Sequence, residues 1–160
     1  MADAVMRTYD LLEPGDKPDE AISKLSEVFA PLYTASWVAE KSKLYDDPPY
    51  NMNIASFAAM WMSKAMRIFI GYRDMRPAGY ITGILFRPFT HERRIFQVED
   101  WYAPDDPELL AGLFDYMQTA MRFIGIDELH INLGPHDKMP PIGPQWKEAR
   151  QMRTVHMVKR

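Results

Sequence analysis

The stretch RRIFQVEDWYAPDDPELLAGLFDYMQTAMRFIG, residues 93–125, decides the predicted fold. Residues 94–102 mix β-branched and aromatic side chains, and this composition predicts a strand. A helix should follow, because Asp106 can cap it, Pro107 suits its first position and Gly125 supplies a left-handed stop. Its apolar residues recur at helical spacing and make one face: Leu110, Leu113, Phe114, Met117, Met121 and Ile124.

A second strand is predicted directly after this helix, at residues 128–133. The joints are short, since residues 103–107 form a tight break before the helix and only a few residues follow Gly125. A strand, a helix and a strand joined in this way make a right-handed crossover between parallel neighbours. The unit sets a helix N-terminus beside the C-terminal end of a strand, where α/β proteins usually bind ligands.

The composition limits the class of protein. A chain of 160 residues with 47% hydrophobic and 12% aromatic residues predicts a single globular domain over residues 1–160. The net charge of -3 makes nucleic acid an unexpected partner, and no apolar run has the length of a membrane span. Because the chain has no cysteine, disulfides, thiolate zinc sites and cysteine nucleophiles are excluded. A soluble cytoplasmic protein is expected.

The residues before the deciding stretch predict one strand, then helices, then two more strands. The first strand is expected at residues 6–12. Pro18 opens a helical region that Pro31 should kink or divide and that runs to about residue 44, and Asn53 caps a further helix. Three strands then make an antiparallel meander, at residues 66–72, 78–89 and 94–102, with turns at residues 73–77 and 90–93. Gly79 and Gly83 mark bulges or a close backbone approach.

The end of the chain begins with a proline-rich segment. Four prolines within residues 134–144 rule out a regular helix there. A short helical turn is expected within residues 145–151, and the alternating residues 152–159 predict a last strand.

This order of elements resembles the GCN5-related N-acetyltransferase (GNAT) superfamily, mainly in topology and over essentially the whole chain. The most similar segment is residues 66–102, whose last strand runs into V-E-D-W-Y-A-P at residues 98–104. The resemblance implies a mixed α+β or α/β sheet, in which an antiparallel meander precedes the crossover and helices cover both faces. It also implies transfer of an acyl group from acetyl-CoA to an amine on a small molecule or a protein.

The resemblance also suggests site residues. Glu99 or Asp100 would be the general base; because adjacent strand residues point to opposite faces, at most one of them should face the cleft. His136 is the nearby substitute for the family's tyrosine acid, since no tyrosine follows Tyr116. Four residues are candidates for binding the cofactor: Trp101, Tyr102, Ala103 and Asn132. Each candidate has an ordinary structural alternative, such as core packing or a solvated loop. The histidines lack the spacing of metal ligands, so no metal site is expected.

The predicted cofactor loop departs from the family pattern of glycines and a basic residue. Residues 103–108 read A-P-D-D-P-E, which brings three acids, no basic residue and no glycine before Gly112. Pro104 and Pro107 remove two N–H donors, and like charges repel a diphosphate. The loop therefore argues against tight CoA binding.

Two alternatives to catalysis remain open. One is a non-catalytic GNAT-like structural or interaction module, for example in a phage particle, with a protein partner or a second copy of the chain. The weaker one is nucleic-acid contact through a basic C-terminal segment: Lys147, Arg150, Arg153, Lys159 and Arg160.

Overall fold

The structure is a computed structural model that describes residues 3–41, 52–90, 92–133, 137–148, 151 and 157. A five-stranded mixed sheet forms its centre, with the strands in chain order from one edge to the other. The strands are β1 (Arg7–Leu11), β2 (Met66–Arg73), β3 (Arg76–Phe86), β4 (Ile95–Tyr102) and β5 (Glu128–Ile131). The first four pair antiparallel and β5 runs parallel to β4. The predicted fold class, a meander followed by a strand–helix–strand crossover, is confirmed.

Within the described ranges, four α-helices accompany the sheet: α1 (Pro18–Lys24), α2 (Ala30–Ser36), α3 (Ile54–Met62) and α4 (Pro107–Phe123). A π-helical turn, Leu25–Phe29, lies between α1 and α2, and a second one, Trp37–Lys41, follows α2. Pro31 stands directly after the first turn, at the start of α2. Because proline has no N–H for the α-helical ladder, Pro31 was expected to kink or divide the helix. The backbone instead stays helical through Leu25 and Ala30, and a π-helical turn replaces a break before the proline.

The β2–β3 hairpin differs from the prediction. Its turn consists of Asp74 and Met75 alone, rather than residues 73–77, and β3 ends at Phe86 instead of residue 89. Both turn residues have positive φ, 49° and 70°, which matches the twist of tightly connected strands. Pro77 is tolerated in β3 because the ladder is irregular beside it.

The two faces of the sheet bury two separate apolar clusters. Helices α1–α3 cover the first face, where Phe29, Trp61 and Tyr80 are among the largest buried side chains. We call this face the α1–α3 face. Helix α4 covers the opposite face, the α4 face, and packs its apolar residues against Phe69 and Phe96. Helices on both faces were expected, and the arrangement is confirmed.

The proline-rich segment packs beside α4 without regular structure. Over residues 137–148 the chain forms neither helix nor strand, so the predicted helical turn is absent from that part of it. The buried side chain of Gln118 in α4 holds the segment: it accepts a hydrogen bond from the Gly143 N–H (2.8 Å) and donates to the Pro141 carbonyl (3.4 Å). The predicted last strand, residues 152–159, lies outside the described residues except for Met157. No helix in the described part of the chain is long and apolar enough to cross a membrane.

Candidate functional site at the end of strand β4

Strands β4 and β5 part before β4 ends. Their pairing runs from Ile95 opposite Glu128 to Val98 opposite Ile131, and the Asn132 N–H still donates to the Val98 carbonyl at 3.0 Å. Beyond this point β4 continues to Tyr102 and pairs with β3 on its other side. Among the described residues, none pairs with residues 99–102 on the β5 side, and we call this place where the two parallel strands separate the splay.

A β-bulge lies at the start of the splay. Thr82 pairs with Asp100 and Gly83 with Val98, so Glu99 is the extra residue of β4. Gly83 is required here by the ring of Phe96, because a Cβ at this position would lie 2.2 Å from Phe96 Cζ. The sequence prediction that Gly83 marks a bulge is confirmed, and the group close to it is an aromatic side chain rather than another stretch of backbone.

The bulge places both predicted acids on the α1–α3 face. Asp100 accepts a hydrogen bond from Tyr80, whose side chain lies on this face. Glu99 accepts one from Gln97, which pairs with Ile84 on the same face as Tyr80 and Thr82. The two acids thus do not alternate across the sheet as adjacent strand residues were expected to do, since strict alternation fails where one strand carries an extra residue.

Glu99 is half-exposed at the splay and bound by two amide groups. Gln97 Nε2 donates to Oε1 at 2.5 Å, and Asn132 Nδ2 donates to Oε2 at 3.4 Å. Asn132 follows the last residue of β5, so its side chain spans the place where the two parallel strands separate. Both contacts come from neutral donors, and they orient the carboxylate without neutralising it.

Asp100 belongs to a hydrogen-bonded group with Tyr80 and Ser36. The Tyr80 hydroxyl donates to Asp100 Oδ2 at 2.5 Å and is itself hydrogen-bonded to Ser36, which is fully buried at the end of α2. Burial first, and the neighbouring Asp100 carboxylate second, raise the pKa of Tyr80 far above its usual value. Tyr80 therefore remains a hydrogen-bond donor throughout the physiological pH range.

Further acids and aromatic rings lie around the same end of β4. Burial raises the pKa of Tyr102, and the carboxylates of Glu40 and Asp105 raise it further, so both acids lie within electrostatic range of the Tyr102 hydroxyl. The ring of Tyr33 contacts Tyr80 and forms a cluster with Phe29 and Phe57. The α1–α3 face of the splay thus combines carboxylates with aromatic side chains.

The N-terminus of α4 lies at the other side of this region and is capped by a buried acid. Asp106 Oδ1 accepts a hydrogen bond from the Leu109 N–H at 3.0 Å, and Pro107 occupies the first turn, as the sequence predicts. The loop itself has no basic residue, but Arg7 of β1 and Arg73 of β2 both reach Asp106. The local sequence therefore gives an incomplete account of the charge at this helix terminus.

The four predicted cofactor-binding residues do not share one surface. Trp101 packs its ring on Phe114 of α4 (5.7 Å between centroids), whereas Tyr102 is buried on the α1–α3 face. Ala103 lies against Gly79, and Asn132 is at the splay.

His136, the third predicted catalytic residue, lies outside the described residues. Over the described ranges, no group of three or more histidine, aspartate or glutamate side chains is arranged to hold a metal ion. Sequence reasoning missed Tyr80, Gln97 and the two arginines, because no local pattern links them to the site.

The sequence matches no protein-family model and no curated protein. Solved structures match its fold over most of the chain. An aminoglycoside acetyltransferase from an uncultured soil metagenomic sample, in complex with sisomicin, has a TM-score of 0.66 at 11% identity and covers 96% of this chain and 97% of its own. A ribosomal-protein-alanine N-acetyltransferase from Brucella melitensis biovar Abortus 2308 has a TM-score of 0.57 at 16% identity, with 82% of each chain covered.

A third similar structure is an aminoglycoside N-acetyltransferase in complex with CoA, with a TM-score of 0.58 at 10% identity and coverage of 84% of this chain and 82% of its own. Together with the mixed sheet, the splay and the bulge in β4, these similarities identify the fold. The chain has the fold of the GCN5-related N-acetyltransferases.

Proposed function

We propose that this chain transfers an acyl group to an amine and that Glu99 is the general base of the reaction. The observation that carries the proposal is the position of Glu99: it is the extra residue of the β4 bulge, at the point where β4 and β5 separate. An acceptor amine is protonated at neutral pH and must lose its proton before its nitrogen can attack an acyl carbon. A carboxylate within hydrogen-bond reach of that nitrogen can take the proton.

The surroundings of Glu99 support an acceptor of positive charge. Asp100, Glu40 and Asp105 add negative charge near the same end of β4, and Tyr33, which is partly exposed, contributes an aromatic ring. A cationic amine is attracted by both kinds of group, since ring faces carry partial negative charge. Two of the similar structures belong to an aminoglycoside acetyltransferase and a ribosomal-protein-alanine N-acetyltransferase, and the groups that these names specify carry amines.

The place where the acyl donor would bind supports the proposal less well. Family resemblance implies acetyl-CoA, whose diphosphate would lie at the N-terminus of α4, but the residues there do not fit a diphosphate. The Leu109 N–H already donates to the Asp106 carboxylate, and Glu108 adds a second acid at this helix end. We therefore assign no step of the reaction to CoA.

A second candidate function follows from this misfit: a non-catalytic GNAT-fold module that binds a protein partner through the same acidic and aromatic surface. The two candidates make different predictions for turnover. The acyltransferase must release a thiol from an acyl thioester in the presence of an amine, whereas the binding module must not.

The test is a thiol-release assay with two donors, acetyl-CoA and acetyl-pantetheine, against a panel of polyamines, aminoglycosides and peptides with free amino groups. Acetyl-pantetheine lacks the diphosphate, so a poor fit at α4 would not hide activity. Glu99→Gln should lower turnover by about 10²- to 10⁴-fold, because the amide cannot accept the proton.

Glu92→Gln is the matched control, since Glu92 is exposed and carries the same charge away from the splay. It should leave the rate unchanged. Wild-type turnover that survives Glu99→Gln would refute the assignment of the base. Absence of turnover with every donor and amine would favour the binding module.

A further inference from the structure

We infer that the N-terminus of α4 is an anion site that the chain fills with its own Asp106 carboxylate, so that an external diphosphate is excluded. The N-terminus of α4 is where the diphosphate of an acyl donor would lie, and the exclusion holds whether or not the chain transfers acyl groups. It rests on the contacts of Asp106 and on the origin of the two arginines that reach it.

Both oxygens of Asp106 have hydrogen-bond donors. Oδ1 accepts from the Leu109 N–H at 3.0 Å and from Arg7 Nε at 3.1 Å. Oδ2 accepts from the same Arg7 nitrogen at 3.2 Å and from Arg73 Nη1 at 3.4 Å. Asp106 is only 4% exposed, so these donors surround it almost completely. A helix N-terminus with two guanidinium groups is the set of donors that a phosphate would use.

The arginines reach this point from distant parts of the sequence. Arg7 lies on the edge strand β1 and Arg73 at the end of β2, and neither belongs to the loop that precedes α4. Arg7 also pairs with Glu108 through Nη1 at 2.8 Å. Two cations therefore meet two acids, and the group as a whole is neutral.

An external diphosphate would have to compete with a carboxylate that is covalently part of the site. Asp106 and Glu108 would also repel it, and both arginines are already paired with these acids. Pro107 offers no N–H, which leaves fewer backbone donors than an ordinary helix N-terminus. Neutralising Asp106 removes one acid and leaves the arginines and the helix terminus with a net positive charge.

The test is titration calorimetry with inorganic pyrophosphate at low salt. The wild type should bind it at least about tenfold more weakly than Asp106→Asn, because the substitution turns repulsion into attraction at a few ångströms. Asparagine caps helices well, so the variant should keep α4 intact. Asp106→Ser is a second variant, with a hydroxyl cap and more space for the ligand.

Asp105→Asn is the matched control. It changes the charge by the same amount one residue earlier in the chain, at an exposed position with φ of 57°, which asparagine tolerates. It should bind pyrophosphate as weakly as the wild type. Thermal unfolding with and without pyrophosphate provides a second measure, and a ligand-dependent rise in Tm is expected for the Asp106 variants alone.

Three results would overturn the inference. One is wild-type binding of pyrophosphate as tight as that of Asp106→Asn. Another is failure of both folded Asp106 variants to bind. The third is an equal gain in Asp105→Asn, which would mean that overall charge decides the affinity instead of the carboxylate at the helix terminus.

Discussion

The bulge that carries Glu99 depends on the absence of a side chain at Gly83, and Gly83→Ala should destabilise the protein strongly. The added Cβ would lie 2.2 Å from Phe96 Cζ and 2.7 Å from both Cε atoms. Phe96 is fully buried and meets Phe69 edge-on at 6.2 Å, so its ring can move away only by disturbing other packed groups. Overpacking of this kind costs about 1–3 kcal/mol, and we expect about 3 kcal/mol here.

The free energy of unfolding, measured in urea, gives this cost directly, and Tm should fall by about 6–12 °C. Gly71→Ala is the matched control: its Cβ would meet Leu109 Cδ1 and Cγ at 3.1–3.2 Å. Leu109 is also buried, but it has to yield by only a few tenths of an ångström, so the cost should be about 1 kcal/mol, at the low end of the range for overpacking. Phe96→Leu should recover part of the loss in the Gly83→Ala background, a coupling that a double-mutant cycle measures. Equal stability of the two alanine variants would refute the reasoning.

Two further substitutions test charge pairs. Asp106→Ala removes the cap of α4 and a partner of Arg7, and both side chains are largely buried. The free energy of unfolding in urea should therefore fall by about 2–4 kcal/mol. A loss below about 1 kcal/mol would contradict these contacts. Hydrogen bonds from His130 and then Arg93 hold the pKa of Glu128 below its usual value. Because the folded-state pKa is the lower one, the stabilisation is present above pH 4.5 and lost as the pH falls. Glu128→Gln should therefore lower Tm at pH 7 and have a smaller effect near pH 3; an equal effect at both pH values would rule out the charge as its source.

Helix α4 was predictable from the sequence because its signals are local. Asp106 caps the helix, Pro107 occupies its first turn, and Gly125 follows it with φ of 80°. Each of these features depends on the conformation of one residue and its immediate neighbours. The residue alternation and composition of the three meander strands were sufficient to predict these strands for the same reason. The predicted strand ends differ from the observed ones by a few residues.

The candidate site was less predictable because it depends on register and on distant residues. No property of Glu99 itself indicates that it is the extra residue of a bulge; the register of Thr82 and Gly83 against β4 decides it. Arg7 and Asp106 are separated by 99 positions, so no local motif connects them. The turn at Asp74 and Met75 escaped prediction because methionine rarely adopts positive φ.

The carboxylates of Asp106, at the N-terminus of α4, and of Glu99, at the splay, have hydrogen-bond donors of different charge. This difference decides which ligands the two places attract. Asp106 is matched by two guanidinium groups, so its charge is compensated within the fold. Glu99 receives its hydrogen bonds from Gln97 and Asn132, whose amides orient the carboxylate but carry no charge. A cation is therefore attracted to the splay beside Glu99, while the N-terminus of α4 has no uncompensated positive charge to attract an anion. Recognition of an amine requires only the first of these properties. The surroundings of Glu99 therefore support a function by themselves, even though the N-terminus of α4 does not fit the diphosphate of CoA.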